Sequence, residues 1–152
     1  MIADFSVRTP RHVEMFGNRD DSLERQLLEH ARMTPDELKD RTKTFAVQIV
    51  EFIKGLPKDP ATSVVTKQLI KSATGIAANY RAACRAKSRA DFISKLGTTE
   101  EEADETEYWL TILVEKGTVR QEQVASLLDE ADQLVRIIVA SIKTARRNRK
   151  QK

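Results

Sequence analysis

The segment from 67 to 85 most constrains what this chain can fold into, because its residue types repeat with the period of an α-helix. At about 100° per residue, one side carries the apolar residues Leu69, Ala73, Ile76, Tyr80 and Ala83. Roughly the opposite side carries four cations, which are Lys67, Lys71, Arg81 and Arg85. Between them lies a strip of small or polar residues, namely Gln68, Ser72, Gly75 and Asn79. The pattern predicts a helix with a core face, a cationic face and a strip suited to close approach of another helix or subunit.

Start and stop signals on either side of this segment predict three further helices. Thr34-Pro35-Asp36-Glu37 has the residue types of a capping box with proline in the first turn. Helix ends are indicated by glycines, since a glycine readily takes the backbone conformation that follows the last turn. The four helices are predicted to begin at Thr34, near Thr62 or Ser63, at Ser88, and at the capping box Thr118 to Gln121. The first three are predicted to end near Gly55, at about Cys84 or Arg85, and at Lys116-Gly117.

Four long amphipathic segments with short connections favour an all-α fold, an antiparallel up-down-up-down four-helix bundle. The chain has 152 residues, about the size of one domain, and its 5 glycines and 4 prolines suit helices better than a sheet. We expect an N-terminal extension over residues 1–33 with a possible short helix near Leu23 to Arg32, whose apolar stripe is Leu23, Leu27 and Leu28. The bundle should occupy residues 34–142, and residues 143–152 should form a basic tail that frays into solvent.

Several classes of protein are disfavoured by composition. No apolar run approaches the roughly 20 residues of a membrane span, and the N-terminus lacks a basic-then-apolar signal, so we expect a cytoplasmic protein with no membrane partner. Cys84 is the only cysteine, and both histidines, His12 and His30, fall in the extension. Neither histidine completes a Glu-x-x-His pair, and the core lacks a base with a tunable proton. The sequence therefore predicts no metal, no cofactor, no catalytic residue and no enzymatic activity.

Charge is segregated along the chain although the net charge is only +3. Lys and Arg outnumber Asp and Glu by seven to two over residues 56–92, the ratio is two to seven over residues 93–117, and it is eight to four over residues 118–152. Such a pattern either pairs acidic and basic faces of neighbouring helices or leaves a cationic face for an anionic partner. The acids available for pairing in the third helix are Glu100, Glu101, Glu102, Asp104, Glu105 and Glu107.

Three blocks of this sequence resemble the four-helix-bundle family known as the 23S-rRNA-intervening-sequence or S23 protein family. The resemblance extends over roughly residues 38–142. The matching positions are Gln68, Ser72, Gly75, Ile76, Ala78, Asn79, Tyr80 and Arg81, then Ser88, Asp91 and Phe92, then Glu105, Thr106, Tyr108, Trp109 and Leu110. One departure is Ala82, where relatives usually carry a glutamate, and its loss makes the neighbourhood of the cationic face more positive.

The resemblance implies a non-catalytic bundle that assembles into a ring-shaped homopentamer with a central channel. A related bundle accompanies the reverse transcriptase of diversity-generating retroelements and binds that enzyme and nucleic acid. Nucleic acid, RNA in particular, and a nucleic-acid-processing enzyme are therefore the implied partners besides the protein itself.

Two functions follow from these patterns as hypotheses. The first is backbone-phosphate binding of nucleic acid, through Lys67, Lys71, Arg81, Arg85, Lys87, Arg89, Arg146, Arg147, Arg149 and Lys150. The second is a purely protein-binding scaffold, with an oligomer or partner interface at Gln68, Ser72, Gly75, Asn79 and Tyr108. Trp109 is expected inside the bundle and Tyr108 near a subunit boundary, because adjacent helical residues point about 100° apart.

Overall fold

A computed structural model describes residues 32–148 of the chain. Within that range the chain forms four helices and no strand: α1 (Pro35–Lys54), α2 (Pro60–Ala83), α3 (Arg89–Glu115) and α4 (Gln121–Arg147). Each helix packs against the next one in sequence, and α4 returns to contact α1. This order confirms the predicted up-down-up-down four-helix bundle.

Two of the predicted helix starts are confirmed by their hydrogen bonds. The Thr34 hydroxyl accepts from the backbone amide of Glu37 at 3.2 Å, and the Glu37 carboxylate accepts from the Thr34 amide at 2.6 Å. This reciprocal pair is the predicted capping box. At α3, the Ser88 hydroxyl accepts from the Asp91 amide at 3.1 Å, as its position before the helix predicts.

The predicted start of α2 is wrong by about half a turn, because the cap is an acid upstream of the two expected candidates. Asp59 accepts from the Thr62 amide at 3.0 Å and from the Thr62 hydroxyl at 2.7 Å, so α2 begins at Pro60. These two hydrogen bonds, which favour the ionised form, hold the pKa of Asp59 below its usual value. Thr62 is thus the donor to the cap rather than the cap itself.

The predicted capping box at Thr118 is also wrong, because the amide of Thr118 completes the end of α3. Gly117 has a positive φ of 78°, and the amides of Gly117 and Thr118 donate to the carbonyls of Val114 and Leu113 at 2.9 and 3.0 Å. This pair of hydrogen bonds is a Schellman motif. Gly117 and Thr118 therefore belong to the end of α3 and not to the start of α4. Helix α4 begins at Gln121 instead.

The far end of α4 differs from its predicted position as well. We expected the chain to leave the bundle at residue 143, yet α4 continues to Arg147, and Ala145 is buried. Ala145 follows the buried Ile142 by three residues and so continues the apolar face of α4 into this last turn. The predicted short helix of the extension lies outside the described residues except for Arg32, as do Arg149 and Lys150 of the basic tail.

The core confirms the predicted apolar faces. All five apolar residues assigned to the inner side of α2 are buried, with exposures between 0% and 6%. On α4, Ile137 is buried, whereas Val135 is only half-buried against the core. No helix within residues 32–148 is both long enough and apolar enough to cross a lipid bilayer.

Candidate nucleic-acid interface

The outward side of α2 presents the predicted cations to solvent. Lys67, Lys71 and Arg81 on α2 and Arg85 in the turn that follows it, which we call the cationic face, are all exposed. Their spacing of three and four residues is that of one helical face, with Thr74 and Ala78 between the two pairs of cations. At about 1.5 Å per residue, the part of the face on α2, from Lys67 to Arg81, extends over about 21 Å. Tyr80, the one aromatic residue of α2, is buried on the opposite side.

None of the four cations forms an ion pair within residues 32–148. The ion pairs of that range join Lys39 to Asp36, Arg41 to Glu130, Lys54 to Glu51, Lys95 to Asp91 and Arg136 to Asp132. Neutralisation of the cationic face by the acids of α3 is therefore not observed. Lys71 does act on Glu102 through its field, which opposes the rise in the pKa of Glu102 caused by burial and by Glu105.

The acids of α3 have their own outward face. Glu101, Asp104 and Glu105 lie on it, and the Glu105 carboxylate accepts from the indole nitrogen of Trp109 at 3.0 Å. Helix α3 packs against α2, yet none of these three acids forms an ion pair with a cation of α2 within residues 32–148.

The topology collects further cations at one end of the bundle. In an up-down-up-down bundle, α2 ends, α3 begins and α4 ends at the same end. Lys87 is exposed in the α2–α3 connection and Arg89 is half-buried at the start of α3, while Arg146 and Arg147 are exposed in the last turn of α4. Lys87 and Arg89 follow Arg85 directly in the chain, whereas Arg146 and Arg147 belong to a distant segment that only the antiparallel packing brings to the same end.

The strip of small residues on α2 is used inside the protomer. Ser72 is fully buried, and its hydroxyl oxygen accepts from the Thr106 hydroxyl of α3 at 2.9 Å. A Cβ placed on Gly75 would lie 2.8 Å from the carboxyl carbon of Glu102. The predicted close approach of another helix is thus confirmed, and that helix is α3. The predicted role of Ser72 in an oligomer or partner interface is wrong, because the buried side chain offers no surface to a partner.

The other proposed interface residues retain accessible surface. Gln68, Gly75 and Asn79 are half-buried, and the Asn79 amide donates to the Gly75 carbonyl at 2.8 Å. Tyr108 is 56% exposed and meets Trp109 edge to face, with ring centroids 4.9 Å apart. Trp109 itself is half-buried against the core. The oligomer or partner contact of these residues stays a prediction.

Metal-binding and acid–base groups would be the other candidates for a site. Residues 32–148 contain no cluster of three or more His, Cys, Asp or Glu side chains arranged to hold a metal. Cys84 is a half-buried free thiol beside Tyr80, and burial together with that thiol raises the pKa of Tyr80 far above its usual value.

Fold and surface together define the class as an all-α four-helix-bundle protein whose candidate site is a charged helix face. The family described as 23S rRNA-intervening sequence protein matches residues 36–140, and the chain belongs to this family. The crystal structure of a protein of unknown function from the S23 ribosomal protein family of Bacteroides thetaiotaomicron VPI-5482 is similar, with 39% identity and a TM-score of 0.68. The alignment covers 73% of the present chain and 99% of that chain. No curated protein matches the chain.

Proposed function

We propose that the protein is a non-enzymatic adaptor that binds nucleic acid through backbone phosphates on the cationic face of α2. The observation that carries this proposal is that Lys67, Lys71, Arg81 and Arg85 are exposed along one face and form no ion pair within the described part of the chain. A cation outside an ion pair has its full charge available for a phosphate, and each phosphate it neutralises releases counterions.

The face is suited to phosphates rather than to bases. Its exposed residues along α2 include no aromatic side chain on which a base could stack. Binding should therefore depend strongly on salt and weakly on sequence. The description of the family refers to 23S rRNA, which makes RNA the first nucleic acid to test.

Self-association would strengthen such a weak surface. A homopentamer, as the family resemblance implies, would repeat the cationic face five times, and linked sites bind with an avidity that one copy lacks. The proposal includes, as an alternative role, assistance to a nucleic-acid-processing protein such as a reverse transcriptase. Light scattering measures the mass in solution, and a monomer would remove the avidity argument.

Charge reversal tests the phosphate contacts directly. Arg81→Glu with Arg85→Glu should lower the affinity for a generic RNA about tenfold or more at low salt and flatten the dependence of affinity on salt. The matched control is Lys43→Glu with Lys58→Glu, which changes the net charge equally at exposed lysines outside the cationic face. Filter binding at two salt concentrations measures both variants. Absence of binding at low salt, or an equal loss in both variants, would remove the proposal.

A protein-binding scaffold is the second candidate, favoured by the exposed Tyr108 beside the acidic face of α3. Aromatic side chains of this kind are common at the centres of protein interfaces. Co-purification after nuclease treatment separates the two functions. A partner that remains bound without nucleic acid supports the scaffold, and one that is lost supports the adaptor.

A further inference from the structure

Apart from its cations, the outward side of α2 offers a ligand little hydrogen-bonding capacity. The exposed uncharged residues of this helix are Pro60, Ala61, Val64, Ile70, Thr74 and Ala78. All but Thr74 have no hydrogen-bonding group in the side chain. Thr74 donates its hydroxyl to the carbonyls of Ile70 and Lys71, at 2.7 and 3.2 Å. The proton of this hydroxyl is therefore already bonded to the backbone of α2.

Unpaired bases would gain few contacts on such a surface. Proteins recognise them by stacking on flat side chains and by hydrogen bonds to the exposed edges of the bases. On the cationic face, only Arg81 and Arg85 have a flat side chain, and the exposed residues of α2 include no aromatic one. Little on this surface therefore favours a strand whose bases are unpaired.

The cations lie in two pairs on a helix that is held between α1 and α3. Lys71 and Arg81 are ten residues apart, about 15 Å along the helix axis, and the exposed residues between them are the small, uncharged Thr74 and Ala78. A flexible single strand has to be ordered across this uncharged interval, which costs conformational freedom. A duplex is already stiff over this distance, because the persistence length of DNA is about 50 nm.

A duplex also presents more charge to the cationic face. Two phosphate strands give DNA about one negative charge per 1.7 Å of its axis, against about one per 3.4 Å for either strand. Over the distance of about 21 Å from Lys67 to Arg81, this amounts to about twelve phosphates in a duplex and about six in one strand. None of the four cations forms an ion pair within residues 32–148, so their charge is available to these phosphates.

We propose that the nucleic acid bound by the cationic face is double-stranded, held by its phosphates while its bases stay paired. A paired base needs neither the stacking surfaces nor the outward donors that α2 lacks. The inference rests on the proposed function and names the class of nucleic acid that this face selects.

Comparison of a duplex with one of its strands tests this inference on the full-length protein. The strand is an RNA of adenine and cytosine only, which cannot form Watson–Crick pairs with itself, and the duplex is the same strand annealed to its complement. At low salt the duplex should bind at least about fivefold more tightly. Fluorescence anisotropy measures both affinities. A smaller preference, or a preference for the single strand, would overturn the inference and leave phosphate binding in place. Absence of binding to either RNA would remove the proposed function, and this inference with it.

Charge reversal locates the preference on the molecule. In Arg81→Glu with Arg85→Glu, the preference for the duplex should fall to about twofold or less, because the more densely charged ligand loses more binding. The control Lys43→Glu with Lys58→Glu changes the net charge equally at exposed lysines outside the cationic face and should keep the preference. A larger remaining preference in the arginine variant, or an equal decrease in the control, would overturn the assignment of the duplex to the cationic face.

Discussion

The carboxyl group of Glu102 shows how one residue combines two opposing requirements. It lies against Gly75 of α2, and burial raises its pKa, reinforced by the charges of Glu105 and Glu101, while Lys71 acts in the opposite direction. A pKa raised in the folded state means that folding favours the protonated form. The stability that this provides is present below the unfolded-state pKa and is lost as the pH rises through the folded-state pKa. At neutral pH the ionised Glu102 therefore opposes folding.

Replacing Glu102 by glutamine removes this charge and keeps its shape. Glu102→Gln should raise the free energy of unfolding at about pH 7 by up to about 1 kcal/mol, with the difference from the wild type vanishing near about pH 4. Urea unfolding at several pH values measures the difference. Glu100→Gln on the same helix is the control, since Glu100 is not among the charges acting on Glu102. A glutamine variant that is less stable than the wild type at neutral pH would contradict the expected direction of the effect.

At the scale of the helices, the close packing of α2 against α3 requires small side chains on α2. Gly75 leaves room for Glu102, and one turn away the Ser72 and Thr106 hydroxyls meet at 2.9 Å inside the core. Glycine within a helix is less favourable than alanine by about 0.5–1 kcal/mol. The contact across the seam offsets this cost.

A double-mutant cycle separates the helix-propensity cost of Gly75 from the effect of its contact with Glu102. Gly75→Ala alone should change stability by less than about 0.5 kcal/mol, because the flexible carboxyl end of Glu102 must move away while the helix gains propensity. In a Glu102→Ala background the same substitution should stabilise by about 0.5–1 kcal/mol. Denaturant unfolding of the four proteins measures the coupling. A loss of several kcal/mol in both backgrounds would show that the seam is closed by the backbone and not by Glu102.

Gly97 within α3 and Gly117 just after its end allow the effect of alanine substitution to be compared at two different backbone conformations. Gly117 has a φ of 78°, which an alanine adopts only with strain, whereas Gly97 lies within α3 with open space where a Cβ would be. Gly117→Ala should destabilise by about 1–2 kcal/mol. Gly97→Ala should stabilise by about 0.5–1 kcal/mol. Thermal unfolding of both variants gives the two signs, and a shared sign would contradict one of the backbone assignments.

At the scale of the whole molecule, one ion pair joins the helix pair that makes the fewest other contacts. The hydrogen bonds to the Glu130 carboxylate and its negative charge raise the pKa of Arg41, against the opposite effect of partial burial. Arg41→Lys should cost about 1–3 kcal/mol, because a lysine cannot reproduce the paired hydrogen bonds to Glu130. Lys39→Ala is the control, since its partner Asp36 is largely exposed to solvent screening and the pair spans a single helix turn. Equal effects in the two variants would contradict a special role for the α1–α4 contact.

The sequence by itself determined the features that depend on neighbours three or four residues apart. The core face of α2 and the exposure of its cations follow the helix period, and the caps at Thr34 and Ser88 accept from amides three residues later, so all of these could be predicted. Local prediction failed where two local signals competed. Asp59, and not Thr62 or Ser63, caps α2, and the amide of Thr118 donates to a carbonyl at the end of α3.

Tertiary structure alone decided which surfaces meet. Periodicity gives the faces of a helix but not its rotation relative to a neighbour, so it could not tell whether Ser72 and Gly75 would contact α3 or a second subunit. For the same reason it left open whether the acids of α3 would neutralise the cationic face. Packing placed Glu101, Asp104 and Glu105 on a separate exposed surface and Glu102 against Gly75 of α2, because those outcomes depend on contacts between residues far apart in the chain.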